Sequence, residues 1–247
     1  MSHPFPEASF SYLAENEERH WWFRSRNEII LWALRTKARM NGAYLEVGCG
    51  SGFVLSCISR SFPSVRLYAT EYYESALVYA KSRVPSCSYR QLDAAVMKDI
   101  DAYECIGCFD VLEHIERDTK VLSNFHRALR TGGYLLLTVP QHPWLWSAAD
   151  SYAHHVRRYT ASELRRKVKH SGFEICYCTS FVFLLLPLMT LQRLLMRNKT
   201  YEPDDEFNIS SILNFGLYLV MQFEQALLCL GLRFPAGGSL LLLAQKP

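Results

Sequence analysis

The sequence predicts a doubly wound α/β fold: a seven-stranded, mostly parallel sheet with an apolar helical insertion before the last strand. Three observations predict it. Short apolar runs alternate with amphipathic stretches from about residue 43 to 139, the pattern of repeated strand and helix units. A glycine-rich turn, Gly48-Cys49-Gly50-Ser51-Gly52, stands between the first strand and the helix after it. Two strongly apolar segments, Phe181–Leu195 and Ile209–Leu232, precede a final strand. At 247 residues, 49% of them apolar and 13% aromatic, the chain is long enough to bury the core of one enzyme-sized domain.

Residues 1–40 read as an N-terminal lid or helix segment. His20-Trp21-Trp22-Phe23-Arg24-Ser25-Arg26 leads into a helix with apolar Ile29, Ile30, Trp32, Ala33 and Leu34. It either lids the binding site or packs on the sheet. Residues 41–180 form the binding core, with strands near 43–48, 65–70, 87–91, 104–109 and 133–139 and helices near 51–60, 73–83 and 115–130. Arg130-Thr131-Gly132-Gly133 predicts a glycine close to the last of these helices. A polar stretch, His142 to Tyr159, then leads to a helix near 160–170 that opens on Thr160 and Glu163, a capping pair, and a sixth strand follows Gly172.

Residues 181–247 form an apolar helical cap and the final strand, Ser239–Ala244, which enters through Pro235-Ala236-Gly237-Gly238. A charged linker, Arg197 to Glu206, separates the two apolar segments. Pro187 and Gln192 interrupt the first and Asn214, Gln222, Glu224 and Gln225 the second, so neither offers the roughly 18 unbroken apolar residues of a spanning helix. The cap buries an apolar substrate, makes a peripheral membrane contact through 181–232, or forms a subunit interface or enlarged core. The oligomeric state stays open.

Lys and Arg exceed Asp and Glu by 27 − 24 = 3, too little for a dedicated nucleic-acid binder, so no nucleic-acid partner is expected. The eight cysteines are scattered through apolar stretches, and Met1-Ser2-His3-Pro4 lacks the basic and apolar regions of a secretory leader. A cytoplasmic location is expected, with membrane association as the variant. Cys105-Ile106-Gly107-Cys108 has the spacing of half a zinc site but reads as buried core thiols, and no residue is assigned to a metal.

The glycine turn carries the chemistry. Glycines let the backbone turn tightly and approach a ligand with no Cβ in the way. A dinucleotide loop spaces its glycines G-x-G-x-x-G; here Gly52 comes one residue early and position 53 is Phe, which argues against NAD. Glu46, late in the first strand, suits a cationic, amino-acid-like ligand. Glu71 ends the second strand, where an acidic side chain takes ribose hydroxyls.

These residues resemble class I S-adenosylmethionine-dependent methyltransferases. Leu45-Glu46-Val47-Gly48-Cys49-Gly50-Ser51-Gly52 is similar to that superfamily's first motif, Tyr68-Ala69-Thr70-Glu71 to its second acidic position, and Asp93 to the site that holds the adenine amino group. Phe109-Asp110-Val111-Leu112-Glu113-His114 resembles the fourth-strand motif beside the methyl-transfer centre. The resemblance implies a Rossmann-like methyltransferase fold and S-adenosyl-L-methionine as cofactor. It implies cofactor contacts from Glu46, Gly48, Cys49, Gly50, Gly52, Glu71, Asp93 and Asp110. His20–Phe23 and His155-Val156-Arg157-Arg158-Tyr159-Thr160 are similar to a bacterial-type small-molecule or lipid subgroup, near the quinone-biosynthesis methyltransferases.

Transfer to a hydroxyl needs a base, and histidine, with a pKa of roughly 6.5, suits that task near neutrality. His155 and His114 rank first among His114, His142, His154 and His155, all near the sheet's carboxyl edge; any of them can equally serve a backbone bond. Arg157 and Arg158 bind an anionic acceptor or form a solvated pair. Asp110-x-x-Glu113-His114 also resembles a cluster that some quinone-biosynthesis O-methyltransferases use for a divalent ion, while many relatives carry Leu-Glu-His without one. The Asn/Asp-Pro-Pro-aromatic turn of amide and exocyclic-amine methylation is replaced by Asp110-Val111-Leu112-Glu113, which favours oxygen or carbon acceptors. The expected function is methyl transfer to a hydroxyl of a hydrophobic small molecule or lipid-linked acceptor. The competing readings are a non-catalytic cofactor-binding scaffold or partner subunit and a nicotinamide-dependent oxidoreductase.

Overall fold

A computed structural model describes residues 6–7, 9–195 and 209–247; the tetrapeptide Met1-Ser2-His3-Pro4 and the linker 197–206 lie outside the described residues. Ala43–Val47 (β1) is buried at every position, as a central parallel strand requires. It pairs in parallel with Arg66–Glu71 (β2) on one side and Tyr103–Phe109 (β4) on the other. Ser88–Gln91 (β3) extends the sheet beyond β2, and Leu129–Pro140 (β5) extends it beyond β4. Glu174–Phe181 (β6) and Ser239–Gln245 (β7) complete a seven-stranded sheet of order β3-β2-β1-β4-β5-β7-β6, in which β7 runs antiparallel to both neighbours.

The helices in chain order are Ser9–Asn16 (α1), Trp21–Lys37 (α2), Phe53–Ser61 (α3), Glu74–Arg83 (α4), Asp118–Ala128 (α5), Ala148–Tyr152 (α6), Ala161–His170 (α7), Leu186–Leu195 (α8) and Ser211–Cys229 (α9). Alternation along the strands sends Tyr44, Cys105 and Leu136 to a layer formed by α2, α3, α4 and α9, and Leu45, Ile106 and Leu135 to the layer of α5 and α7. The same alternation places Cys105 and Cys108 in opposite layers, so the two thiols cannot share an ion.

Three local expectations change. Gly132 does adopt a left-handed φ of +79°, but it does not close α5. That helix ends at Ala128, and pairing with β4 jumps from Tyr103–Leu129 to Cys105–Tyr134, so Arg130–Gly133 bulge out of β5 while the Gly132 amide donates to the Lys246 carbonyl at 2.8 Å. The polar stretch after β5 is also not plain loop: Ser147 and Asp150 form a reciprocal cap that starts α6. The second apolar segment forms one continuous 19-residue helix, long and apolar enough by length and composition to cross a membrane. Its polar residues do not interrupt it, because they share one face. Ile29, Ile30, Ala33 and Leu34 of α2 are buried in the core, while α1 and the first turn of α2 wall the cleft described next.

Candidate active site

A cleft of about 1720 Å³ opens over the carboxyl ends of β1, β2 and β4, where the strand order reverses between β1 and β4. That exceeds the roughly 300–1,000 Å³ usual for one small ligand, so the cleft has room for two. Its walls include Glu46, Gly48, Cys49, Gly50, Glu71, Asp93, Asp110, His114 and His155. Of the cofactor residues expected from the sequence, Gly52 alone is not a wall. It is the residue before α3, with φ +81°, and a Cβ there would meet the Ala80 backbone at 2.8 Å, so it serves the packing of α3 on α4.

Gly48 and Gly50 hold φ values of +70° and +52°, a region that side chains with a Cβ avoid. A Cβ on Gly48 would collide with Val111, whereas one on Gly50 would find, among the described residues, only Phe10, 3.7 Å away on α1. Glu71 is buried at the end of β2 and braces this loop. One carboxylate oxygen accepts from the Gly50 amide at 2.9 Å and the other from the Tyr72 amide at 2.7 Å, with lone pairs left over for a ligand. Asp93 uses one oxygen to accept from the Ala95 amide at 2.8 Å, fixing the turn after β3 at the edge of the cleft.

Glu46 is 2% exposed, and burial pushes its carboxyl up to about 8, even though Tyr44 donates to it at 3.3 Å. Glu17, Glu71 and Glu113 are likewise raised, each chiefly by burial. A cleft with this many desolvated carboxyls suits a cationic ligand. The free protein holds the Glu46 proton at neutral pH and the unfolded chain does not, so Glu46 makes stability fall as pH rises from the ordinary carboxylate range to about 8. An ammonium group bound against Glu46 reverses that preference. Cofactor binding should therefore release a proton below pH 8, with affinity rising up to about tenfold per pH unit. Calorimetry in buffers of different ionisation enthalpy will show it, and Glu46→Gln should remove it.

The N-terminal segment is latched to this loop. Glu17, 4% exposed, accepts from Ser51 and Arg83, and Arg83 also donates to the Ala14 carbonyl at 2.8 Å. Arg26, stacked 4.7 Å from the Trp22 ring, donates to Asp110 at 2.5 Å. Asp110, at φ +55°, thus lines the cleft with its charge paired. Neither latch was visible in the sequence, because each joins residues far apart in the chain.

Also on the cleft wall, His155 stands beside His114, ring centroids 4.7 Å apart. The His155 Nδ1 pairs with Asp150 at 2.9 Å. Asp150 is 1% exposed; burial would raise its carboxyl, but His155 and Arg158 outweigh that and hold it well below the usual carboxylate range. Arg158 donates to Asp150 at 2.7 Å and to the Gln141 carbonyl at 3.1 Å, and Arg157 pairs with Asp118 at 2.6 Å. Both arginines therefore act within the fold, neither as a solvated pair nor as an open anion site. Burial, then the charge of His155, lowers His114 to about 3, which keeps it neutral. Burial and the charge of Asp110 push the Glu113 carboxyl well up; among the described residues neither of its oxygens finds a hydrogen-bond donor beyond its own amide.

Glu113, His114 and His155 each offer a ligand atom, all within 4.8 Å of one another. Of the other two histidines, His142 lies beside Trp144 with the rings tilted and 5.2 Å apart, and His154 adopts φ +56°; neither is a wall of the cleft. Asp150 is the functional neighbour that the sequence reading missed. The signal available was its place three residues after Ser147, a capping pair in the polar stretch.

A family model described as a methyltransferase domain matches residues 14–177. The chain belongs to that family, the class I S-adenosylmethionine-dependent methyltransferases. It is 27% identical over 161 residues to a Mycolicibacterium smegmatis protein described as a probable S-adenosylmethionine-dependent methyltransferase, covering 64% of this chain and 61% of that one. It is 24% identical over 149 residues to a ubiquinone biosynthesis O-methyltransferase of Paracidovorax citrulli, covering 55% and 61%. The matches thus span about three fifths of these relatives' length. Phosphoethanolamine N-methyltransferase 2 of Haemonchus contortus, solved with S-adenosyl-L-methionine, shares the fold with a TM-score of 0.61 at 18% identity, over 90% of this chain and 52% of that one. The cofactor is S-adenosylmethionine. The cleft fits it: two left-handed glycines leave a cradle without Cβ atoms, and Glu46, Glu71 and Asp93 face the same space.

Proposed function

We propose that the protein transfers a methyl group to a hydroxyl of a hydrophobic small molecule or lipid-linked acceptor. The observation that supports this best is the Asp150–His155 pair at the acceptor end of the cleft. When bound, S-adenosylmethionine supplies a methyl group on a positively charged sulfur. A hydroxyl acceptor must then lose its proton, and the chain offers a place for it. Asp150 accepts from the Nδ1–H of His155, which leaves Nε2 as the proton acceptor. Glu46, Glu71, Asp93 and the glycine loop hold the cofactor. The Arg26–Asp110 and Glu17–Arg83 latches keep α1 and α2 over the site, limiting water. Val182, Leu185, Leu188, Met189 and Leu217 give the far wall an apolar surface that suits a hydrophobic acceptor. The likeness to the ubiquinone biosynthesis O-methyltransferase supports oxygen as the accepting atom.

The test is calorimetric titration with S-adenosylmethionine and S-adenosylhomocysteine, NAD serving as the control, followed by a labelled-methyl screen of phenolic, lipid and amine acceptors. Micromolar binding of the first two alone and label on oxygen are expected. Label confined to amines would overturn the acceptor class, and binding with no transfer to any acceptor would favour the scaffold reading.

A second reading has its own observation. The buried Glu113, whose oxygens find no donor among the described residues beyond its own amide, lies with His114 and His155 in a set that can hold a divalent cation. In that reading turnover falls on chelation and returns with magnesium or zinc. Turnover indifferent to chelator would remove it.

A further inference from the structure

We propose that α8 and α9 form a docking surface for an anionic lipid bilayer, and that the cleft opens onto that surface. The polarity of α9 is inverted relative to a helix on the surface of a water-soluble domain. Its polar side chains face the protein. Asn214 accepts from the Trp21 amide at 2.8 Å and donates to the Arg19 carbonyl at 2.9 Å, Tyr218 donates to Glu28 at 2.7 Å, Gln222 donates to the same carboxylate, and buried Glu224 accepts from the Leu184 amide at 2.9 Å. Its large apolar side chains face outward. Ile212, Phe215, Leu219 and Phe223, with Leu230 just beyond the helix, fall at helical intervals on one stripe and are 50–88% exposed. Only 17% of the apolar stretch is buried, unlike the core helix of a water-soluble domain.

α8 is apolar and exposed as well. None of its residues is fully buried, and Leu188, Leu191, Leu194 and Leu195 are 52–72% exposed. Exposed apolar surface on this scale marks a site of interaction.

Charge selects the occupant. The only acidic residue of the two helices, Glu224, is buried, and Glu28 is engaged by Tyr218 and Gln222. Among the described residues the flanks carry basic side chains: Arg193 on α8, which also donates to Ser147, Arg24 over the Tyr218 ring at 3.8 Å, and Arg233 over the Tyr177 ring at 4.7 Å, where Lys37 also lies. A symmetric pair of copies meeting through this patch would set basic flank near basic flank. An anionic bilayer meets both the apolar stripe and its basic rim. The bonds to α2 and to Leu184 fasten α9 lengthwise to the domain, so the helix lies in the interface.

Leu188 and Leu213 join this surface to the cleft, since both are walls of it and both are at least half exposed. An acceptor dissolved in the bilayer reaches the site there without crossing water. That last step rests on the proposed methyl transfer; the docking itself does not.

The experiment is co-sedimentation of the full chain, without cofactor, with vesicles of phosphatidylcholine alone and of phosphatidylcholine with phosphatidylglycerol. The chain should partition at least tenfold more strongly onto the second, and salt should weaken the difference. The double variant Leu219→Glu, Phe223→Glu replaces two exposed side chains. It should lower partition at least tenfold while thermal midpoint and S-adenosylmethionine affinity stay unchanged. A chain that stays in solution with both vesicles, or a variant that binds them as the parent does, overturns the proposal. So does a parent dimer that the variant splits in the absence of any vesicle binding, which would assign the face to a second copy. Neither acceptor nor turnover enters the measurement, so failed docking and a failed functional reading are separable.

Discussion

Gly50→Arg is expected to abolish S-adenosylmethionine binding in a chain that still folds. The three loop glycines differ in what surrounds them, and this difference makes Gly50 the informative position. Gly52 is pressed against the Ala80 backbone and Gly48 against Val111, so a side chain at either disturbs packing before it disturbs a ligand. At Gly50 the Cβ direction is open, with Phe10 at 3.7 Å the sole neighbour within contact range among the described residues, and the side chain would grow into the space between the loop and α1. The left-handed φ of +52° adds a backbone cost of roughly 1–2 kcal/mol. A loss of affinity beyond 100-fold, about 2.8 kcal/mol, should appear by calorimetry, with thermal unfolding still cooperative. Retained binding in a folded variant would remove the loop from the cofactor site.

That contrast among the glycines also shows what was legible in the sequence. The alternation of apolar runs and the spacing of Gly48, Gly50 and Gly52 gave the sheet and the place of the cleft, because both follow from backbone geometry that is local in the chain. The role of Gly52 was not legible, since it depends on how close α4 comes. The pairings of Arg26 with Asp110 and of Glu17 with Arg83 are not legible for the same reason: the partners of each latch lie 84 and 66 residues apart, and no periodicity links them.

In composition alone Asn214, Gln222, Glu224 and Gln225 interrupt an apolar segment, because composition cannot say which way a side chain faces. Asn214, Tyr218 and Gln222 repeat every four residues, a helical interval that becomes meaningful once the Trp21 amide and Glu28 are seen to be their partners. Gly132 taught a narrower lesson. A left-handed glycine after a helix signals a cap only where the helix ends beside it, and here β5 begins first.

His155→Ala is expected to lower turnover about 100-fold, within the range of roughly 10²–10⁴ for a general base, while cofactor affinity changes little. His155 follows α6 in the polar stretch after β5, on a different element from Glu71 at the end of β2 and Asp93 after β3, so the two measurements should separate. Unchanged turnover would strike His155 from the mechanism. Asp150 is a positioning residue, and the activity of the single variant cannot test it, because Asp150→Asn also disturbs Arg158 and the cap of α6 and will lower the thermal midpoint. A double-mutant cycle separates the two roles. With its carboxyl held well below the usual range, Asp150 stays charged across the working pH and accepts from the His155 Nδ1. If it acts by orienting that ring, Asp150→Asn should lower turnover in the parent chain and change it little in the His155→Ala background. A purely structural role would lower turnover by the same factor in both.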